Sequence, residues 1–331
     1  MKIEVFNIHN IDRDKWNCIA IKESNICQTY EWALVSRKKP LFFVVIDKND
    51  AWIAGWLIFE SKLPFLKTIS IFSEPIIMVE KEKDIIIDLL WDNIEKRKPI
   101  FVEWLDYANS KWGDKNFFIN KKFDKIIEYG SYVLDLEKDN QVIWDAIDKK
   151  HRNVIRNAEK RGVIIKETTN IKKYYFLSQE TYRRSMAAGP SFQAFKKVFD
   201  SLGSSNMCRI FFAEKDGKIM AAAFMLLCGE KVTYWHGATS DNSILGSSNL
   251  LHWHLIKKFK SKKFKFYDFG GASFEGEGKV KGINTFKKKF GGDLKIFYGG
   301  NKIYSSGGFK LFRILKEIKL KLKNILYAIK K

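Results

Sequence analysis

The sequence predicts an α+β fold made of two related units in tandem, and three observations carry that prediction. Strand and helix patterns alternate from the first residues, the alternation restarts near Gly130, and the second half holds an antiparallel meander marked by its turn residues. A chain of 331 residues is long enough for about two domains, and 46% hydrophobic with 15% aromatic content supplies packed cores. Disordered and fibrous classes are excluded.

Met1 to Val5 alternates as a strand does. Leu41 to Asp47 and Ala51 to Glu60 are β-rich runs on either side of a Lys48-Asn49-Asp50 turn. Lys83 to Arg97 has helical spacing, with Ile86, Leu89, Leu90 and Ile94 on one face; Pro99 stops it, and Pro99 to Leu105 reads as the next strand. In the second unit Tyr132 to Leu136 is a strand, and Val142 to Arg161 a long helix ended by Gly162 just past its last turn. Val163 to Lys166 is a short strand. Ile171 to Met186 is helical until Ala187-Ala188-Gly189-Pro190 breaks it, and Phe192 to Leu202 is helical again. Arg209 to Glu214, Lys218 to Cys228 and Lys231 to Gly237 form the meander, turned at Asp216-Gly217 and Gly229-Glu230. Gly246-Ser247-Ser248 caps a helix from Asn249 to Lys260, and Phe264 to Phe269 is a strand that ends in Gly270-Gly271. From Gly308 to Lys331 the residues Leu311, Leu315, Ile318, Leu322, Ile325 and Ile329 recur at three and four among lysines, which describes a basic amphipathic helix.

The charge narrows the function. Lys and Arg number 59 against 38 Asp and Glu, a formal +21, which favours a polyanionic partner: nucleic acid, a phosphorylated substrate or an anionic membrane. Cys18, Cys27, Cys208 and Cys228 have neither the spacing nor the histidines of a zinc site or disulfide frame, so no metal is expected. An acidic residue in Met1-Lys2-Ile3-Glu4-Val5 argues against a secretory signal, and the apolar window Ala51 to Phe59 is far short of the roughly 20 residues that span a bilayer. A cytoplasmic protein is expected, with peripheral attachment at the inner face of the membrane as the alternative role for the final helix.

Candidate sites follow from the same pattern. Arg152, Arg156 and Lys160 fall at i, i+4 and i+8 and form a basic ridge suited to a polyanion. In Thr285-Phe286-Lys287-Lys288-Lys289-Phe290-Gly291-Gly292 three lysines sit between aromatics, where an ammonium beside apolar walls can hold a phosphate or an oxyanion; strand geometry would put Lys287 and Lys289 on one face. The Gly246-Ser247-Ser248 turn offers backbone amides to an anion, although it lacks a glycine-rich pyrophosphate loop. His252 and His254 are two apart on a helix and cannot pair on a metal, whereas His236, with Tyr234 on the same strand, is placed to contact substrate. Asp268 ends its strand as a ligand, base or turn cap. No Ser-His-Asp set, P-loop or dinucleotide motif occurs.

Taken in order, Gln28-Thr29-Tyr30-Glu31-Trp32-Ala33, the run Tyr132 through Gly162-Val163, Tyr267-Asp268-Phe269-Gly270-Gly271 and Phe286-Lys287 through Phe290-Gly291-Gly292 resemble the Fem family of peptidoglycan aminoacyltransferases. The resemblance implies tandem domains of the acetyltransferase (GNAT) fold, the first over residues 1–141 with the final helix, 303–331, returning to it, and the second over 142–302. It looks like the compact type without a helical arm. It implies transfer of an amino acid from aminoacyl-tRNA to the amine of a peptidoglycan precursor's peptide stem, the precursor being UDP-linked or lipid-linked, with no cofactor. Lys287 matches the family lysine that stabilises developing charge at the acyl carbon, with Phe286 and Asp268 as the other catalytic candidates. Arg37, Lys38, Asp106, Tyr234 and His236 are assigned to substrate. The position four after Trp32, commonly lysine in the family, is Ser36, and Arg183 and Arg184 are alternative phosphate clamps. Arg152, Arg156, Lys288 and Lys289 are assigned to tRNA or phosphate, and the 309–331 helix to an anionic membrane. Two other readings stay open: a related acyltransferase that acylates a sugar or surface polysaccharide from a coenzyme A thioester, and a basic adaptor without catalysis that binds RNA or membrane.

Overall fold

The computed structural model describes residues 1–61, 65–105, 115–274 and 279–329. The first half holds β1 (Lys2–Phe6), α1 (Arg13–Lys22), α2 (Tyr30–Val35), β2 (Lys39–Ile46), β3 (Trp52–Glu60), β4 (Thr68–Ile71), β5 (Ile76–Ile77), α3 (Lys83–Lys96), β6 (Phe101–Trp104), α4 (Lys115–Asn120) and β7 (Lys125–Asp135). The second holds α5 (Asn140–Ala146), α6 (Lys149–Lys160), β8 (Ile164–Thr168), α7 (Ile171–Arg184), α8 (Phe192–Gly203), β9 (Cys208–Lys215), β10 (Lys218–Cys228), β11 (Lys231–Thr239), α9 (Ser247–Ser261), β12 (Phe266–Ser273), α10 (Lys279–Lys288), β13 (Asp293–Ile303) and α11 (Ser306–Ile329).

All strands join one sheet in the order β1-β2-β3-β4-β6-β13-β7-β12-β11-β10-β9-β8, with β5 beside β3. The repeat is visible in the pairing. β2, β3 and β4 form an antiparallel meander, α3 crosses over, and β6 lies parallel to β4; β9, β10 and β11 repeat the meander, α9 crosses over, and β12 lies parallel to β11. The halves are welded at the middle. β7 pairs with β12 from Phe266↔Asp135 onward, and β13 runs antiparallel to both β7 and β6.

Both central strands of the first meander are buried on two faces, which is why LFFVVID and AWIAGWLIFE read as unbroken apolar runs. Phe43, Val45 and Trp56 pack against Ile86, Leu90 and Trp91 of α3. Phe42, Val44 and Leu57 face the other way and share a core with Trp16 of α1 and with Tyr174, Phe195 and Phe224 of the second half. The motif at residues 28–33 serves this layer. The buried Gln28 side chain accepts from Leu57 N at 2.6 Å, Thr29 caps α2 by accepting from Trp32 N at 3.2 Å, and buried Glu31 takes hydrogen bonds from Arg13 Nε at 3.0 Å, Asn17 at 2.8 Å and Ser205 at 3.0 Å. Arg13 and Ser205 therefore tie the two halves through one carboxylate.

Three sequence expectations change. The helix expected over Val142 to Arg161 is two helices, because Ile147 turns extended to bury itself (1% exposed) and Asp148 starts α6 by accepting from Lys150 N at 3.0 Å. The strand expected over Tyr132 to Leu136 begins seven residues earlier, at Lys125, because β13, which the sequence reading missed, supplies its partner. Lys287 and Lys288 lie on helix α10, not on a strand or turn. The C-terminal helix does return to the first half: Phe309 and Phe312 meet Phe101 at ring distances of 4.7 and 6.3 Å. Among the described residues no helix is long and apolar enough to cross a membrane.

Candidate active site

The parallel strands β11 and β12 pair only at Lys231↔Phe266, Val232↔Tyr267 and Thr233↔Asp268, then diverge. Ends of parallel strands that part in this way are where open α/β sheets place ligands. Lys287, on the last turn of α10, reaches back to β12: its Nζ donates to Gly270 O at 2.9 Å and Gly271 O at 2.6 Å, and the residue is only 8% exposed. Burial lowers its pKa from the ordinary 10.5 to about 8, against a smaller raising effect of the Asp268 charge. An ammonium has three protons to donate, and among the described residues the third meets no acceptor.

The glycine carbonyls are held in turn by Asp268, 1% exposed, which accepts from Gly270 N at 2.8 Å and from the Ser131 hydroxyl of β7. Gly270 has φ +70°, and a Cβ there would sit 2.5 Å from Tyr234 O, so both backbone and space demand glycine. Asp268 is thus sealed below the reactive surface and acts on the loop under Lys287; the expected role as a base that touches substrate does not fit its burial.

Around the lysine lies an aromatic box. Phe286 is 5.3 Å from Phe290, and His252, 1% exposed, stands 5.6 Å from Phe286, 5.3 Å from Phe269 and 4.5 Å from Tyr234. His252 Nδ1 bonds the Tyr267 hydroxyl at 2.7 Å; burial first, then the charge of Lys287, lowers its pKa to about 3. The neutral imidazole lies near enough for the Lys287 charge to act on it, and among the described residues no carboxylate forms an ion pair with the ammonium. His151 closes the box between Phe286 (5.3 Å) and Phe290 (5.0 Å), and its buried Nδ1 has no partner among the described residues. The sequence reading passed over Ser131 and His151 and weighed His252 only as half of a metal pair; only His252 carried a usable signal, its place on the apolar side of α9.

Beside the box opens a cavity of about 620 Å³, lined by Phe286, the α9 start from Gly246 to Asn249, Ile244 and Arg184. Gly246, at φ +91° with a would-be Cβ 2.2 Å from Val154 O, begins α9 with no side-chain cap, so the expected serine cap is replaced by a left-handed glycine. Ser247 Oγ instead donates to Ile244 O at 2.7 Å.

The other predicted residues sort clearly. Arg184 is on the cavity wall, but its guanidinium is occupied by Thr239 O and Oγ1, both at 2.6 Å, and by Asp241; exposed Arg183 shares Asp241. His236 lies between the hydroxyls of Tyr174 and Tyr182, the latter at 2.8 Å, and burial holds its pKa near 4, so it is a neutral structural bridge in which one ring nitrogen accepts and the other donates. Tyr234 packs on His252 within the box. Arg37 is exposed in the bend that precedes β2; Lys38 donates to Ser70 Oγ at 2.5 Å, and burial lowers its pKa while Glu103 raises it. Both belong to the first half, away from the Lys287 box. Asp106 lies outside the described residues. The expected ridge on α6 is not free: Arg152 folds onto Asp145 O at 2.8 Å, and Arg156 stacks over Trp144 at 5.2 Å. Lys288 is exposed, and Lys289 pairs with Asp148 at 3.8 Å.

Comparison with known proteins agrees with this architecture. The family model described as acetyltransferase (GNAT) domain matches residues 147–288. The UDP-N-acetylmuramoylpentapeptide-lysine N(6)-alanyltransferase of Weissella viridescens is 25% identical over 176 residues, 51% of each chain, so the chain matches about half the length of that curated relative. Among solved structures FemX superposes with TM-score 0.77 at 14% identity over 94% of this chain and 99% of its own. The L-PGS structure from Bacillus licheniformis gives 0.57 at 13% identity over 93% and 97%. The tandem GNAT protein from the clavulanic acid pathway gives 0.52 at 10% identity over 91% and 97%.

Two meander-and-crossover units around one sheet, with a buried lysine where parallel strands part, define a protein of the tandem GNAT acyltransferase fold. Within that class it is similar to a Fem-type alanyltransferase in sequence over half the chain and shares the FemX fold over nearly all of it.

Proposed function

We propose that the protein transfers an amino acid from aminoacyl-tRNA to an amine on the peptide stem of a peptidoglycan precursor, on the cytoplasmic side of the membrane. The observation that carries the proposal is Lys287: a buried cation beside an aromatic cluster, fixed by two backbone carbonyls, with a third proton that meets no acceptor among the described residues. In the reaction the stem amine attacks the ester carbonyl of the donor. The C–N bond forms, the carbonyl oxygen takes negative charge, and the Lys287 ammonium stabilises it without having to reorganise. The C–O bond to the tRNA ribose then breaks, and the proton lost by the amine passes to the leaving ribose oxygen. Phe286, on the cavity wall, keeps water from competing for the ester.

Two features support this reading: the relative's printed activity on a lysine of a precursor pentapeptide, and a +21 chain able to meet both tRNA and precursor phosphates. Arg37 and Lys38 on the first half, and Arg183 with Lys288 on the second, are the exposed or half-exposed cations this reading assigns to those phosphates. It also keeps residues 1–141 with 303–331 as one unit and 142–302 as the other. The test is mass spectrometry of a UDP-linked precursor pentapeptide incubated with charged tRNA and the protein. One added aminoacyl mass that depends on both protein and charged tRNA is expected; transfer from acetyl-CoA alone, with none from charged tRNA, would overturn the proposal.

A further inference from the structure

Helix α11 carries an apolar row that nothing among the described residues covers. Leu311 is 48% exposed, Ile314 54%, Leu315 43% and Ile318 47%. Their spacing of three, one and three puts them on one face. At roughly 100° per residue, Phe309 and Phe312, which seat the helix on Phe101, point about a third of a turn away from that row. The helix therefore has two apolar sectors, and the body of the protein uses one. In the sequence the same apolar spacing recurs at Leu322, Ile325 and Ile329, while Lys310, Arg313, Lys316, Lys319, Lys321 and Lys323 fall outside it and Glu317 is the one acidic residue after Ser305. Glu317 is itself within 3.9 Å of Arg313.

The charge identifies the occupant. A second copy would bring an equally basic helix against this one, and the lysines would repel. An anionic bilayer accepts the row into its acyl boundary and the flanking ammonium groups among its phosphates. We infer that α11 is a membrane-docking helix, lying in the plane of an anionic lipid surface with Leu311, Ile314, Leu315 and Ile318 facing the lipid.

The placement bears on the acceptor. Lys316, on the sector of α11 that carries Phe309 and Phe312, is close enough to Lys38 for its charge to act on that ammonium, so the helix lies beside the first-half basic site. On the aminoacyl-transfer reading, on which this second half of the inference rests, a docked α11 holds the first-half basic site close to the headgroup layer, and the acceptor served there is lipid-linked.

The experiment uses the full chain. Sedimentation with vesicles of phosphatidylglycerol in phosphatidylcholine should pull the protein down, and phosphatidylcholine vesicles should not. The variant with Leu311→Glu, Ile314→Glu, Leu315→Glu and Ile318→Glu should bind anionic vesicles at least ~10-fold more weakly with an unchanged melting profile. As a readout independent of that variant, a solvatochromic dye on Ile314→Cys, with exposed Cys18 replaced by Ser, should shift to the blue on anionic vesicles. Equal binding by the fourfold variant, no shift of the dye, or a wild-type dimer that the variant dissolves would each overturn membrane docking. In transfer assays the variant should keep its rate on a soluble precursor and lose it on a lipid-linked precursor in vesicles; equal rates on both would overturn the acceptor assignment. Absence of transfer by wild type to either acceptor refutes the functional reading alone and leaves the vesicle result standing.

Discussion

Replacing Lys287 by methionine separates its chemical task from its structural one. The folded protein lowers the lysine pKa from 10.5 to about 8. At pH 7 the amine is still charged, so the native state carries a penalty of roughly 3 kcal/mol for that buried charge. Lys287→Met removes the penalty but leaves the carbonyls of Gly270 and Gly271 without their donor, a loss of about 1 kcal/mol each. The net expectation is a gain of about 1 kcal/mol at pH 7, or about 2 °C in Tm. The sign with pH follows from the same shift. Because the folded value is depressed, the unfolded chain binds more protons between about 8 and 10.5, and wild-type stability should rise with pH across that window. The variant should lack that rise. Aminoacyl transfer should fall by about two to three powers of ten, the usual effect of losing one oxyanion donor. Thermal melts at pH 7 and 9.5 and a single-turnover transfer assay check these outcomes. A loss of more than about 2 kcal/mol at pH 7 would show that the ammonium holds the fold together, and turnover within threefold of wild type would refute the catalytic assignment.

The remaining predictions address the surroundings of that lysine. Asp268→Ala strips the acceptor from Gly270 N and Ser131, so kcat should drop at least ~10-fold with little change in KM, and the alkaline fall of the rate near pH 8 should move; an unmoved pH profile would leave Asp268 a purely structural residue. Gly246→Ala forces a Cβ to 2.2 Å from Val154 O at φ +91° and should destabilise by about 2 kcal/mol or more, read from denaturant midpoints. The His236 ring protons should not titrate by NMR between pH 5.5 and 8, since its pKa is held near 4; a midpoint above 6 would contradict the buried tyrosine bridge. Binding of charged tRNA should weaken steeply on a log-log salt plot, whereas a flat slope would argue against a phosphate-led interface.

Some of this protein was determined by its sequence alone. Apolar runs at β2, β3 and β10, the turn pairs Asp216-Gly217 and Gly229-Glu230, and the left-handed Gly162 after α6 fixed the meanders and helix ends, because strand burial and turn conformation are local demands on residue type. The order of the motifs pointed to Lys287. What tertiary structure decided is partnership. β13 has too weak a pattern to be seen until β6 and β7 supply its hydrogen bonds, and the helix expected from Val142 breaks because Ile147 finds a core to enter. Arg152, Arg156, Arg184 and His236 looked available for substrate and are instead occupied by Asp145, Trp144, Thr239 and two tyrosines. Lys287 became a buried, shifted cation only where two strands diverge, and Leu311 to Ile318 became a free face only because Phe101 captured the other side of α11. A sequence records which groups could bind; which of them are already bound depends on residues distant in the chain, and only folding brings those together.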